Sequence, residues 1–444
     1  MNREKLTAAD VITGELGQSG DWVVACVEPQ VQWPTSVQKI TYRGQTVFVL
    51  PQFDDYYPSL VVKLGAGLAT FEAGQVLILN LLSAMCWVEG RGALVDQWVG
   101  GNLPRPMAGF SQSGIHLMMT DHFRCHYLPD VIDQQTRWAL AFYREGLSIH
   151  QVSYAFLSFY KIINILHDGG AKQKAWINAN VNAATANDHV GSNQRLQELR
   201  AAGTDVGEYL YESGRCAVAH AGQGPTVDPE NPADLKRLMQ DLPLVRALAA
   251  YAIEFEFKIK SAGTVYKEHL YELEGFRALF GEALCQKLKD GEEVNPEEVP
   301  TLPALHVGLH GKDDYGPLTD LRPAVSSIES GMVYLGCTSA DGRTRLMLGL
   351  DFPNERLRTN IFDGLISLDD GSEVGLRNAV AVMTFKRAYF ANGELVVKRV
   401  DTGALMGRCD AFLPTNVDMG GTLKNFDAII AELTRLANER STHS

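Results

Sequence analysis

The stretch SIHQVSYAFLSFYKIINILHDGG, residues 148–170, decides how the middle of the chain folds. Val152, Ala155, Phe159, Ile162 and Leu166 recur every three or four residues, which places them on one face of an α-helix rather than on alternate sides of a strand. The preceding run TRWALAFYREG (136–146) repeats that period, and the joint between the two is short enough that the helices must pair antiparallel. Helical spacing continues through KQKAWINANVNAA (172–184), SNQRLQELRAAG (192–203) and DVGEYLYESGRCAVAHAG (205–222). It runs on in NPADLKRLMQDLPLVRALAAYAIEFEFKI (231–259), which Asn231 opens as N-cap with Pro232 at the first helical position. HLYELEGFRALFGEALCQKLKDG (269–291) extends the pattern, and the acidic, proline-bearing EEVNPEEVP (292–300) breaks it. An all-α block over residues 133–298 is expected.

On either side the period falls to two. DWVVACV (21–27), TYRG with QTVFVLP (41–51) and PSLVVKL (58–64) are β-branched runs bounded by Gly, Pro or Asp, the pattern of a meander. One helix interrupts them over 71–88, with Thr70 and Glu72 at its start and Gly90 at its end. IHLMMTDHFRCHYL (115–128) alternates again and reads as a half-buried strand, which makes residues 1–132 an α+β domain. Beyond 299, SGMVYLGCT and TRLMLGLDF flank an ADGR turn, and NAVAVMTFKRAYF (378–390) and LVVKRV (395–400) flank ANGE; both read as hairpins, the second with an Asn-Gly turn. TLKNFDAIIAELTRLANE (422–439) closes a β-rich domain, residues 299–444, with a terminal helix. The fold class is α+β multidomain. The length of 444 residues, roughly three times the ~150-residue prior for one domain, agrees.

Charged residues are 21% and apolar types 45% of the chain, the composition of a globular protein. Forty basic against fifty-three acidic side chains give a formal charge of −13, which opposes broad electrostatic adhesion to nucleic acid or anionic lipid, so any polyanion site must be local. Between residues 134 and 260 the balance is even, thirteen of each sign. Seven scattered cysteines without a C-x-x-C pair point to free thiols in a reducing compartment. The polar opening MNREKLTAAD has no apolar signal core, and the longest apolar run, VLILNLLSAMCWV (76–88), is shorter than the ~20 residues that span a bilayer. A cytoplasmic protein without membrane attachment is expected.

Most chemistry-bearing motifs are missing from the sequence: there is no phosphate-binding glycine loop, dinucleotide fingerprint or G-x-S-x-G elbow. His122 and His126 have the spacing of two zinc ligands on a helix, but on a strand they lie ~13 Å apart and cannot share an ion. His306 and His310, beside Gly308 and Gly311, read as loop histidines. Neither a metal nor a cofactor is expected. Arg215 and His220 remain: a guanidinium that is always charged can grip phosphate, and an imidazole can move a proton near neutral pH. On an ideal helix they stand ~140° apart, yet Gly214, Ala217, Ala221 and Gly222 around them are small and allow close approach of another helix or subunit.

The aromatic-rich stripe YAFLSFYKIINIL, followed by R-x4-H from Arg215 to His220 before a long last helix, resembles a HEPN domain. The aromatic strip and AVAHAG are similar in particular to HEPN-like proteins of the methylamine utilization protein MauJ type. The resemblance covers residues 133–260 and implies a helical bundle that pairs as a homodimer, with two R-x4-H motifs facing each other and cleaving RNA without metal. It makes Arg215 the phosphate binder and His220 the acid/base, with Glu212 and Cys216 as supporting residues. Cys216 departs from the pattern, because relatives commonly carry a polar Asn, Asp or His there and a thiol is a weak donor. The resemblance therefore implies a triggered toxin or defence ribonuclease, and alternatively a non-catalytic scaffold or binding subunit with a protein partner, or an accessory factor in methylamine metabolism.

Overall fold

The computed structural model describes residues 6–108, 119–120, 123, 127–186, 191–220, 226–310, 312, 314–361, 363–368, 370–391, 393–410 and 418–442. It divides into two compact units, Met1–Ala262 and Gly263–Ser444.

The first unit opens with a short helix, α1 (Ala8–Val11), and an antiparallel sheet ordered β3-β4-β5-β1-β6, built from β1 (Trp22–Pro29), β3 (Gln38–Tyr42), β4 (Gln45–Leu50), β5 (Ser59–Lys63) and β6 (Ala93–Gly101). Two-residue strands β2 (Trp33–Pro34) and β7 (Met119–Thr120) pair in parallel beside it. Helix α2 (Phe71–Glu89) has the expected caps: Thr70 accepts from the Ala73 N–H at 3.1 Å, and Gly90 ends it in the left-handed region at φ 62°. Length and apolarity alone would let α2 cross a membrane. Here Leu77, Ile78, Leu81 and Met85 instead pack on Val23, Val47 and Val62 of the sheet. Gly74 permits this approach, since a Cβ there would sit 2.7 Å from a Val23 methyl.

The helical middle follows as α3 (Gln134–Ser148), α4 (Val152–Leu166), α5 (Gly170–Thr185), α6 (Ser192–Ala201), α7 (Val206–Tyr209), a π-helical segment Leu210–Cys216, α8 (Ala217–Ala219) and α9 (Pro232–Tyr251). The stripe read from the sequence is the core. Phe156, Phe159, Ile162 and Ile163 of α4 are buried against Leu244, Val245 and Leu248 of α9 and against Ala139 and Tyr143 of α3. Asn231 caps α9 as expected, accepting from Ala233 N at 3.0 Å.

The second unit begins with α10 (Ala262–Lys267), α11 (Glu274–Phe280) and α12 (Glu282–Lys289). The strands that follow are β8 (Leu305–Leu309), β9 (Leu321–Glu329), β10 (Met332–Ser339), β11 (Thr344–Asp351), β12 (Arg356–Arg358) and β13 (Leu365–Ser367). Helix α13 (Glu373–Phe390), strands β14 (Glu394–Arg399) and β15 (Leu405–Asp410), and helix α14 (Met419–Ser441) complete it. The sheet is antiparallel, ordered β12-β11-β10-β9-β8-β14-β15 with β13 on β11, and its edge strands β12 and β15 approach each other so that it nearly closes. Alternate residues fill the inside: Val333, Leu335 and Cys337 of β10 meet Leu346, Leu348 and Leu350 of β11.

Residues 378–390, expected as the first strand of a hairpin, belong to α13. Leu376, Ala379, Val382, Phe385 and Tyr389 are buried at helical spacing, and Ser372 caps the helix by accepting from Gly375 N at 3.0 Å. Gly393 donates back to the Tyr389 carbonyl at 2.9 Å, so this glycine ends a helix instead of turning a hairpin. His306 is likewise not in a loop: it lies on β8 opposite Lys398 of β14, with Nε2 3.1 Å from Asp314 Oδ1.

Phe385 is fully buried and meets Tyr315 edge-on at 5.1 Å between ring centres. Phe385→Ala should therefore lower stability by about 3–5 kcal/mol, measured as a fall in the urea midpoint at unchanged slope. A change below about 1 kcal/mol would contradict the burial of Phe385 between α13 and the sheet.

Candidate functional site

Arg215 and His220 lie at the end of the helical run that starts at Val206. The chain does not keep α-helical pitch there: Leu210–Cys216 is π-helical, and the Ala217 N–H reaches back to the Glu212 carbonyl, a five-residue step. The helix stops at Ala219, and His220 turns extended at φ −122°, ψ 112°. The wide turn and the early stop together remove the ~140° separation of an ideal helix. Arg215 Nη1 stands 3.3 Å from His220 Nε2. Arginine has no lone pair to offer, so Nη1 donates and Nε2 accepts, which places the proton of a neutral ring on Nδ1.

The site is open to solvent on the His220 side, and Arg215 is half-buried. Its guanidinium lies 5.7 Å from the centre of the Tyr211 ring, a cation–π distance, and Nη1 is 3.6 Å from Cys216 Sγ. Lys174 Nζ sits over the same ring at 5.2 Å, so two cations share Tyr211. Glu212 faces Lys174 Nζ at 3.8 Å, while Glu208 holds that ammonium more closely, at 2.7 Å. Among the described residues no ion pair joins Glu212 to Arg215. Burial, then the neighbouring Cys216, raises the Tyr211 hydroxyl above the ordinary phenol range. Tyr160 below it is fully buried, its hydroxyl has no hydrogen-bond partner among the described residues, and burial pushes its pKa well up, so it stays protonated.

The small residues serve the first of the two uses expected, the close approach of another helix. Gly214 and Ala217 face inward, and a Cβ on Gly214 would lie 2.5 Å from the Phe156 ring. They let the π-turn settle on α4. Ala221 and Gly222 lie outside the described residues, as do His122 and His126.

What holds the turn is a set of residues the sequence reading passed over. The Asp241 carboxylate of α9 has no solvent exposure and meets three partners: Arg195 Nε at 2.8 Å, the Tyr209 hydroxyl at 2.9 Å and Arg237 Nη1 at 3.5 Å. Arg195 also donates to the Tyr209 oxygen at 3.1 Å, and Arg237 donates to the Ser213 carbonyl, inside the π-turn, at 2.8 Å. Burial alone would lower the pKa of Arg195, but the hydrogen bond and charge of Asp241 outweigh it and raise the pKa further. Burial, then the Asp241 charge, raises the Tyr209 hydroxyl. The signal was present in the sequence, for Asp241 interrupts the apolar stripe Leu238, Val245, Leu248 and Ala252, where an unpaired carboxylate would be costly.

Among the described residues no group of three or more His, Cys, Asp or Glu side chains could hold a metal ion. The site on its own offers a cation for an anionic oxygen and a neighbouring imidazole for a proton. A family model described as methylamine utilization protein MauJ matches residues 139–254, which includes both residues and the π-turn. Neither the curated proteins nor the solved structures contain a match to the chain.

Proposed function

We propose that Arg215 and His220 form one half of a metal-independent ribonuclease site of HEPN type, completed by a second copy of the chain. The observation that carries this reading is the 3.3 Å approach of Arg215 Nη1 to His220 Nε2 at a solvent-facing helix end. A phosphodiester oxygen arriving at Arg215 competes for the donor that occupies Nε2. Substrate binding thereby frees the ring lone pair, and His220 becomes able to accept a proton where the phosphate sits.

In this reaction the RNA 2′-hydroxyl attacks the adjacent phosphorus and gives its proton to His220. The bond from phosphorus to the 5′-oxygen breaks, that oxygen takes a proton, and Arg215 balances the charge on the phosphoryl oxygens. One imidazole cannot be a neutral base and a charged acid in the same step. The second proton requires the partner copy's imidazole, which is the argument for a homodimer. The products are a 2′,3′-cyclic phosphate and a 5′-hydroxyl. With an even charge balance around the motif, the RNA footprint is short. Cys216 favours a second reading: its sulfur meets Arg215 at 3.6 Å, where a stronger polar group would orient the guanidinium, as suits a scaffold that binds a partner without cleaving.

Incubation of the purified protein with mixed RNA in excess chelator tests the reading. Cleavage should persist, and Arg215→Ala and His220→Ala should each lower it by ~10²-fold or more while the far-UV dichroism is unchanged. Light scattering that shows a strict monomer, or variants that cleave as the wild type does, would refute it. Cleavage should also decline at both acid and alkaline pH, since one imidazole must be neutral and the other charged. Wild type that never cleaves, with a gain of cleavage in Cys216→Asn, would assign the scaffold reading to the loss of one orienting group.

Asp241→Ala leaves Arg237 partly buried without its counter-charge and Arg195 with only Glu198, at 3.1 Å, and should cost about 3 kcal/mol. Below its own unfolding temperature it should reduce cleavage by loosening the π-turn, with activity falling before helix content does. Full activity in a folded Asp241→Ala protein would separate the network from the site.

A further inference from the structure

A cavity lies in the second unit, Gly263–Ser444, outside the region matched by the family model. It has a volume of about 340 Å³ and is lined by Arg277, Glu282, Cys285, Gln286, Lys289, Phe352 and Glu355, within the range of small-molecule sites. Its walls carry two cations and two carboxylates. Glu355 is the unusual member: it is only 7% exposed, it sits in the left-handed region at φ 54°, and its Oε2 is buried without a hydrogen bond. The nearest cations approach loosely. Arg277 Nη1 is 3.5 Å from Oε2 and Lys289 Nζ is 3.4 Å from Oε1, against ~2.7–2.9 Å for a well-made charge-assisted bond.

A buried carboxylate oxygen left without a donor is costly, as is a non-glycine residue held in that conformation. The orphan oxygen is explained if the group that Oε2 is built to receive comes from outside. A simple anion would meet Glu355 and Glu282, and a simple cation would meet Arg277 and Lys289, so a ligand of one sign is opposed by half the lining. Thiol chemistry does not fit either. Burial raises the Cys285 thiol, outweighing the opposing charge of Arg277, so it stays protonated, and its sulfur is turned to the Arg277 carbonyl at 3.7 Å. Gln286 spends its amide on Asp290 at 2.9 and 3.0 Å. The groups left to meet a ligand are Arg277 and Lys289, 41% and 49% exposed and able to turn, and the exposed Glu282 carboxylate at the rim, above a buried acceptor and the Phe352 ring.

We propose that this cavity binds a small zwitterion, its carboxylate held by Arg277 and Lys289 and its protonated amine donating to Oε2 of Glu355. An α-amino acid is the simplest ligand of this kind. As Arg277 swings onto the carboxylate, it uncovers Oε2 for the amine, and both charges on the ligand are met by opposite charges.

Isothermal titration of the full chain with each of the common L-α-amino acids tests this. At least one should bind, and its N-acetyl and carboxamide forms, each lacking one charge, should bind at least ~10-fold more weakly. Glu355→Gln and Arg277→Gln should each weaken binding by a similar factor. Arg277 is surface-exposed, so its variant and the blocked ligands decide the matter even if Glu355→Gln does not fold. Binding should be the same in Arg215→Ala, which separates this site from the ribonuclease reading. The proposal is overturned if no amino acid binds, if a singly charged form binds as well as its parent, or if a folded Glu355→Gln or Arg277→Gln protein keeps full affinity.

Discussion

A carboxylate with no access to water organises the helical half of the first unit. Asp241 would be prohibitively placed in an apolar bundle if it were alone, and its three partners remove that cost only by being held still. Each partner belongs to a different part of the chain: Arg195 to α6, Tyr209 to the end of α7, and Arg237 to α9 itself. The network therefore fixes α6, α9 and the start of the π-turn in one arrangement. Through the bond from Arg237 to the Ser213 carbonyl it also fixes the turn two residues before Arg215. The geometry at Arg215 and His220 follows from a charge buried elsewhere in the bundle.

The wide turn also explains why a pair that an ideal helix would separate can meet. A π-helical segment stores one residue more per turn than an α-helix can, and it survives where side chains fill the space it opens. Here the filling is aromatic on one side, with Phe156 against Gly214, and cationic on the other, with Arg215 and Lys174 over Tyr211. A larger residue than glycine at 214 would have to displace the Phe156 ring. The small residues around the motif thus serve the packing that shapes the site within one chain, and not by themselves the approach of another.

How much of this was legible depends on whether the information was local. The stripe from Val152 to Leu166, the caps Thr70, Gly90 and Asn231, and the ADGR hairpin were readable, because each rests on residues within one or two turns of each other. The hairpin expected at 378–400 failed where two local signals compete. Val380, Val382 and Thr384 are β-branched and favour a strand, whereas Ser372 and the spacing of Leu376, Ala379, Val382 and Phe385 favour the helix, which packing against the sheet selects. Strand β6 went unread because it is a sheet edge, where Asp96, Gln97 and two glycines are tolerated. Strand β9 went unread because of Pro323, which fits since β9 pairs with β8 only at Leu305–Leu321 and is otherwise bordered on one side alone.

The site shows the same division. Arg215 and His220 could be chosen from the sequence, since charge and proton transfer are properties of residue types. Their contact could not, because it depends on a five-residue hydrogen bond, on a helix end and on a carboxylate twenty-one positions beyond His220 in the chain. The cavity around Glu355 lies further still from sequence reading: Arg277 and Lys289 come from two helices and Glu355 from a strained turn between β11 and β12. In both places the informative feature is a hydrogen bond that is poorly made or easily surrendered. Arg215 spends a donor on an imidazole that a phosphate oxygen could replace, and Glu355 holds two cations at longer than optimal distance. Length alone does not mark such a place, since Asp241 meets Arg195 and Tyr209 at 2.8 and 2.9 Å but Arg237 only at 3.5 Å; what sets Glu355 apart is a buried oxygen without a hydrogen bond beside a cavity. What the two places share is access: His220 faces solvent at a helix end, and Glu355 borders a cavity, whereas Asp241 is closed off on every side.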